Sequence, residues 1–517
     1  MRVASFYVQN FGCRATQADG AAIERQFLER GLQAAATLGE ADIVVLNTCT
    51  VTAAADQDAR AAIRRIRREN PESKIVVTGC YAQRAPEEIA TLPGVSGVIG
   101  NSDKHRLAEI AVSKFPAVAS KALFRAKAEL SSFDAAAQTH DIVPLADLTE
   151  NREPTTENLI FVSDIFAHTE LLAAPVFDAA NERTRPNLKV QDGCDNRCSF
   201  CIIPYVRGQN RSLPLDRVVH EVHALVAAGY REVVISGINL GRWGRDLVVN
   251  QEGIRQRPTT NDQRLSFVDL VRAVLNDTNL EKLRISSVEP MDWSDDLIDL
   301  VGSCPRIAKH AHVPVQSGSD RVLRAMHRKY RPWHYREKIE KIRAAMPTAA
   351  IGADVMVGFP GESEADFEQT RRMVEELPFT YLHVFTYSSR PGTPAAAMPN
   401  QVPVRLARER NRILRELASA KKLAFMRSFI GKTVEAITLN VFDGEHREAL
   451  TDNYLKLQMS GSLEPNRWIS ARVREVSNGQ MVGEASLARP DGRERPSLHE
   501  ARPNNRSAET ASHTAHY

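Results

Sequence analysis

The chain has 517 residues, 43% of them apolar, with 67 Lys and Arg against 64 Asp and Glu for a formal net charge of +3. That length exceeds one ordinary domain and predicts two or three, while the balanced charge excludes a protein that holds nucleic acid by bulk electrostatics alone. Seven cysteines, odd in number and widely spaced, exclude a secreted disulfide framework. With no apolar run long enough to span a membrane and no leader-like stretch after Met1, a reducing cytoplasm is expected.

Residues 1 to 112 alternate apolar strand-like runs, at 3–8, 43–46 and 75–77, with amphipathic stretches, the pattern of an open parallel α/β sheet. Cys13, Cys49 and Cys80 each fall just past the C-terminal end of such a run. Those ends share one edge of a parallel sheet, where ligands bind, so three cysteines far apart in sequence are predicted to be neighbours in space. The basic stretch at 60–68 predicts a helix with Ile63 and Ile66 inward and its arginines either solvated or facing a polyanion. From about 115 to 185 the period is lost. This segment reads as an extended linker or insertion, with a loop at 147–157 and an apolar piece at 159–162.

A strand-like run at 188–191 leads into Cys194, Cys198 and Cys201, spaced C-x3-C-x2-C. A loop this short turns three thiolates toward one point, the chemistry of a metal centre. A structural zinc site needs four protein ligands, and no second hook follows at zinc-like spacing. A cubic iron–sulfur cluster held by three cysteines instead keeps one iron free for another ligand.

Helix and strand patterns then alternate to about 400, with strands predicted at 232–236, 282–286, 311–315, 352–357 and 382–386. With the strand before Cys194 they make six βα units, an incomplete parallel barrel whose active groups belong at C-terminal strand ends. Those ends carry Gly237 and Asn239, Ser287 and Glu289, and Gln316. Glycine there lets a ligand approach the backbone, and amide or carboxylate groups can bind ammonium and hydroxyl groups. His310 and His312 alternate and could share a strand face, but no further ligand converges on them in sequence. Cys304 has no partner and reads as a free thiol. Residues 404–427 read as a long basic amphipathic helix, followed by strands predicted at 433–439, 454–458 and 468–474 that imply a compact β-barrel. Beyond 488 the chain is polar and reads as a disordered tail.

These motifs resemble those of the radical S-adenosylmethionine (SAM) methylthiotransferases. Cys194, Cys198 and Cys201, with Phe200 at the usual aromatic position, look like the cluster motif of the radical SAM superfamily. Gly12-Cys13, Asn47-Thr48-Cys49 and Gly79-Cys80 look like the N-terminal cluster motifs of the methylthiotransferases, and residues 312–320 and 387–393 look like their barrel. Residues 450–455 look like the TRAM domain, an RNA-binding barrel. One departure is Thr16, which stands where the family usually has Asn after the first cysteine.

The resemblance implies an α/β fold in several parts: an N-terminal open parallel α/β sheet domain over 1–114, the insertion at 115–185 and an incomplete (βα)6 radical SAM barrel over 186–410. A connecting helix at 411–427, a small all-β TRAM barrel at 428–488 and the tail at 489–517 complete the chain. It also implies two 4Fe-4S clusters and SAM as cofactors. Cys194, Cys198 and Cys201 would hold the cluster that chelates and cleaves SAM, with Phe200, Gly237, Asn239, Ser287, Glu289 and Gln316 as SAM contacts. Cys13, Cys49 and Cys80 would hold an auxiliary cluster carrying the sulfur to be transferred, and no catalytic side chain separate from these ligands is implied. A radical is needed because the target carbon has no acidic proton for a base to take.

Implied partners are tRNA, with Arg447, Lys456, Arg472 and Arg474 as candidate phosphate contacts, and an electron donor of flavodoxin or ferredoxin type; the chain is expected to be a monomer. Residues 47–52 and 383–394 are most similar to the branch that methylthiolates N6-threonylcarbamoyladenosine next to the anticodon. The alternatives are the same chemistry on N6-isopentenyladenosine or on a ribosomal-protein aspartate. From another class comes an RNA-binding protein with structural or redox-sensing clusters.

Overall fold

A computed structural model describes residues 4–115, 160–168, 171, 184–250, 253–256 and 263–485; the loop expected at 147–157 and the tail at 489–517 lie outside the described residues. Six parallel strands build the N-terminal sheet in the order Gln33–Ala34, Ser5–Asn10, Ile43–Thr48, Lys74–Gly79, Val95–Ile99 and Ile160–Phe161. The strand Ile43–Thr48 is buried throughout because both faces of the sheet are covered. Ile43 and Val45 pack with Ile23 and Phe27 of the helix Arg14–Glu29, whereas Val44 and Leu46 pack with Ile63 and Ile66 of the helix Ala53–Glu69. The inward placement of Ile63 and Ile66 is as the sequence predicts, and Arg64, Arg65, Arg67 and Arg68 stay exposed. The apolar piece at 159–162 supplies the edge strand Ile160–Phe161.

The central unit has six parallel strands: Asn187–Asp192, Glu232–Gly237, Lys282–Ile285, His310–His312, Ala350–Val357 and Tyr381–Thr386. Bridges at Leu283–Ile307 and Ser287–His312 join the first three strands to the last three. Among the described residues the first and last strands do not pair, so the barrel is open on one side; Asn187–Asp192 pairs antiparallel with Arg211–Ser212 there. Along these strands Leu188, Val190, Val233, Ile235, Leu283, Ala311, Ile351 and Val355 join the apolar core beneath the helices. The period of two then turns Lys189, Gln191, Arg284, His310, His312 and Asp354 to the lumen. A closed parallel barrel fills that space with branched apolar layers. This one lines it with charge and imidazole.

The helix Val404–Arg427 spans the range read from the sequence and runs without a break across residue 411. Its Leu414 enters the barrel core, Asn411 donates from Nδ2 to the Val384 carbonyl (2.9 Å), and buried Arg410 pairs with Glu362 at 2.8 Å. The C-terminal unit is a closed barrel in the order Thr433–Phe442, His446–Thr451, Lys456–Ser460, Gln480–Ala485 and Trp468–Ser477. Two of these strands, His446–Thr451 and Gln480–Ala485, are additional to the three predicted. Tyr454 and Leu455 precede their predicted strand rather than belong to it, because Thr451 anchors a tight turn: its hydroxyl accepts from the Leu455 N–H at 2.8 Å and Tyr454 takes φ 67°.

Candidate cluster sites and the barrel lumen

The three N-terminal cysteines converge at one edge of the sheet, as their strand-end positions predict. Cys13 is the N-cap of the helix Arg14–Glu29 and is exposed, Cys49 follows Ile43–Thr48, and Cys80 opens the helix Cys80–Arg84. Burial first, then the neighbouring Cys80 and Cys13 sulfurs, push the Cys49 thiol up to about 11. Glycine precedes two of these cysteines for a steric reason. At Gly12, with φ +104°, a Cβ would stand 2.7 Å from the Cys49 Cβ. At Gly79, with φ +96°, it would stand 2.3 Å from the Thr48 carbonyl oxygen.

Asn47 laces the strand ends together, donating from Nδ2 to Asn10 Oδ1 (2.9 Å) and to the Thr16 carbonyl (2.7 Å). The Thr16 hydroxyl lies 3.6 Å from Cys13 Sγ, so this residue, the departure from the family pattern, is engaged with the first cysteine. Asn101 donates from Nδ2 to Cys80 Sγ at 3.6 Å and to the Val206 carbonyl at 2.7 Å.

The second trio lies in the loop after Asn187–Asp192, at the C-terminal mouth of the barrel. The backbone N–H of Asn196 (3.4 Å) and Nδ2 of Asn239 (3.5 Å) both donate to Cys194 Sγ, and Arg328 Nη1 donates to Cys198 Sγ at 3.3 Å. Burial, with Cys198 adding to it, pushes the Cys194 thiol up to about 11 and the Cys201 thiol up to about 12. Three thiols supplied with N–H donors, and no fourth protein sulfur, fit an iron–sulfur cluster with one free iron better than a zinc site.

Of the predicted SAM contacts, Asn239 and Glu289 are tied to this loop. Asn239 donates from its backbone N–H to Gln191 Oε1 (2.7 Å) next to Gly237, and its side-chain Oδ1 is buried with no hydrogen-bond partner, a free acceptor near Cys194. Glu289 is ion-paired with Arg328, and both line a cleft with Cys198, Arg242 and Met291. Ser287 pairs with His312 and Gln316 with Val355 along the barrel wall. Phe200 packs toward Val322, Met326 and Phe359.

Four charged residues that the sequence did not single out join the two units. Asp19, from the N-terminal helix, is buried among Lys104, Lys189 and Arg207, with Lys104 Nζ and Arg207 Nη2 each at 3.0 Å. Burial alone would raise its carboxyl, but Lys104, Lys189 and Arg207 together hold it down at about 2. Arg207 also pairs with Asp192 at 2.9 Å, and despite burial its guanidinium is held well above its ordinary value by Asp192, Cys80, Asp19 and Cys13. A buried cation beside Cys80 and Cys13 suits an anionic centre there. The segments 47–52 and 387–393 also meet: Arg390 donates from Nη2 to Thr50 Oγ1 (2.9 Å) and pairs with Asp56, and Ser388 Oγ accepts from the Ala53 N–H at 3.1 Å.

At the other end of the lumen the turn at 451–455 docks against the barrel. Arg284 pairs with Glu232, donates from Nη1 to the Asp452 carbonyl (3.0 Å) and lies over the Tyr454 ring. His310 and His312 both enter the lumen, where Asp354 and His383 from neighbouring strands supply the convergence that the sequence spacing could not reveal.

Of the four candidate phosphate contacts, Arg472, Lys456 and Arg474 are exposed, the last two paired with Glu448 and Glu484. Arg447 differs from expectation. It is buried, with its guanidinium over the Phe442 ring and Nη1 donating to the Leu439 carbonyl at 3.0 Å, so its charge closes the barrel wall and does not face solvent. Among the described residues no helix is long and apolar enough to cross a membrane.

An open parallel barrel with a C-x3-C-x2-C loop at its mouth defines a radical SAM enzyme, and residues 188–374 match the Radical SAM superfamily. Residues 5–100 match the family described as "Uncharacterized protein family UPF0004". The chain is 33% identical over 90% of its length to the threonylcarbamoyladenosine tRNA methylthiotransferase MtaB of Aquifex aeolicus, covering 99% of that relative. It is 34% identical over 89% of its length to the protein of the same name from Bacillus subtilis, covering 91% of it. It is also 34% identical over 84% of its length to the tRNA-2-methylthio-N(6)-dimethylallyladenosine synthase of Novosphingobium aromaticivorans, covering 86% of that protein. The chain belongs to the radical SAM methylthiotransferase family. It is therefore a transferase that uses SAM and a 4Fe-4S cluster.

Proposed function

We propose that this enzyme adds a methylthio group to C2 of N6-threonylcarbamoyladenosine next to the anticodon of tRNA, with Cys194, Cys198 and Cys201 holding the SAM-binding cluster and Cys13, Cys49 and Cys80 an auxiliary one. When bound, the first cluster supplies the electron that cleaves SAM to a 5′-deoxyadenosyl radical, and the second supplies sulfur. The observation that carries this reading is the buried cluster that Cys80 forms with Ile202, the residue after Cys201, and Val206, which sets the two trios on touching segments. A radical made at one and sulfur held at the other can then act on a single carbon between them.

The chain's own groups support that division. Asn239 bonds Cys194 and Glu289 reaches Cys198 through Arg328, and these two, with Phe200, Gly237, Ser287 and Gln316, are the residues we assign to SAM. Arg328 and Asn239 donate to the sulfurs of one trio, whereas Arg207, Asn101 and Thr16 serve the other. Arg472 offers exposed positive charge for tRNA phosphates, and Lys456 and Arg474 would exchange their Glu448 and Glu484 partners for them. A flavodoxin or ferredoxin would supply electrons to a monomeric, cytoplasmic enzyme.

The synthase named for dimethylallyladenosine is as similar in identity as the two named for threonylcarbamoyladenosine, so the nucleoside must be tested directly. Nucleoside mass spectrometry on a deletion strain should show loss of 2-methylthio-N6-threonylcarbamoyladenosine and accumulation of its precursor. Retention of that product, with loss of the methylthio-isopentenyl nucleoside or of a modified ribosomal aspartate instead, overturns the assignment.

A further inference from the structure

The barrel lumen holds a cluster of groups that neither cysteine site uses. The His312 side chain is only 10% exposed, and neither of its ring nitrogens has a hydrogen-bond partner. Its Nε2 faces Asp354 Oδ1 at 3.4 Å without bonding to it, and one ligand atom each from His312, Asp354 and His383 lie within 4.8 Å of one another. Tyr381 stacks on His312 and meets His383 edge-on. Nearby, half-buried Arg14 donates from Nη2 to Tyr454 Oη (3.1 Å) and has no carboxylate partner among the described residues. Its charge is felt at His310, Tyr381 and His383.

The cluster is tied to both trios through neighbouring residues. Arg14 directly follows Cys13, and His312 pairs with Ser287, two residues before the Glu289 that joins Arg328 and Cys198. Buried polar groups left without partners are costly unless a ligand completes them. A divalent cation could use the spacing of His312, Asp354 and His383, but Asp354 brings negative charge to this cluster while Arg14 and Arg284 bring positive charge, a mixed field that suits a ligand carrying both hydrogen-bond donors and a carboxylate.

Resting on the threonylcarbamoyl reading above, we propose that this cluster is the pocket for the N6 substituent of the target adenosine. Arg14 pairs with the carboxylate of that substituent, His312 and His383 donate to its carbonyl and carboxylate oxygens, and Asp354 accepts from its ureido N–H or hydroxyl. An isopentenyl group satisfies none of these partners, so the pocket selects the polar substituent by leaving its own groups unpaired around the apolar one.

The test is binding of three anticodon stem-loops, bearing threonylcarbamoyladenosine, isopentenyladenosine or adenosine, to reconstituted enzyme with iron and sulfide content verified. Wild type should bind the first about tenfold or more tighter than the other two, the scale of one hydrogen-bonded charge pair. Arg14→Ala and His383→Ala should bring that ratio close to one without weakening the adenosine stem-loop, and Arg14→Lys should restore part of it. A preference that survives in both alanine variants overturns the pocket while leaving the threonylcarbamoyl reading intact. Wild-type preference for the isopentenyl stem-loop overturns both.

Discussion

Cys80 and Ile202 are buried in one apolar cluster with Val206, so the N-terminal unit meets the barrel loop beside the residue that follows Cys201. The contact is backed by Asn101, which bonds Cys80 Sγ and the Val206 carbonyl together. A cluster held at either trio is therefore positioned by the fold of both units, and a shift of one sheet edge would separate the two chemistries.

Exchange of single cysteines should separate them on purpose. Cys198→Ala is expected to abolish formation of 5′-deoxyadenosine from SAM and dithionite. Cys49→Ala should leave that cleavage in place and stop methylthio transfer, with iron falling from about eight to about four atoms per chain, one 4Fe-4S centre lost. Loss of both activities in a folded Cys49→Ala protein would argue against separate roles.

Gly12 offers a gentler route to the same end. A Cβ at this position meets Cys49 at 2.7 Å, and the backbone already has a φ of +104°. Gly12→Ala should push the loop from Cys49 and cost on the order of 1–3 kcal/mol locally. Iron analysis is expected to show selective loss of the auxiliary centre, with far-UV circular dichroism unchanged.

Much of this architecture is legible in the residues. The strands ending before Cys49 and Cys80 are continuous apolar runs, and the six barrel strands repeat at βα spacing, so sheet edge and barrel mouth follow from pattern. What joins the units is not. Asp19, Lys104, Lys189 and Arg207 come from four distant segments, and each alone looks like an ordinary surface charge. The strand His446–Thr451 begins with His446, Arg447 and Glu448, whose polarity hides a barrel strand until Arg447 is seen folded over Phe442. Likewise His310 and His312 look like a bare pair until parallel register brings Asp354 beside His383.

The buried charge cluster predicts an acid limit to the joining of the two units. Asp19 has a folded pKa of about 2 against an ordinary 3.8. Because the folded value is depressed, the carboxylate contributes stability in full above pH about 4, and loses it as pH falls through 4 toward 2. The contribution is about 2 kcal/mol. Asp19→Asn should remove it at every pH and leave the Lys104 and Lys189 ammonium groups short of a buried partner, costing about 3–5 kcal/mol. Thermal unfolding between pH 3 and pH 7 checks both: the variant should be less stable and should show a weaker acid dependence than wild type.

Arg390 provides the last test, because it binds the 387–393 loop to the helix start beside Cys49. Its guanidinium is buried, donates to Thr50 Oγ1 at 2.9 Å and pairs with Asp56, which Arg84 also holds at 2.9 Å. Arg390→Met keeps apolar bulk and removes the charge, while Arg84 still neutralises Asp56. The loss should therefore be limited to about 1–3 kcal/mol, with the protein folded. Freed from Thr50, the loop and the auxiliary site are expected to move relative to each other. Methylthio transfer should then fall at least tenfold, whereas iron content and SAM cleavage stay near wild type. Equal loss of SAM cleavage and transfer would place Arg390 in the general stability of the barrel instead.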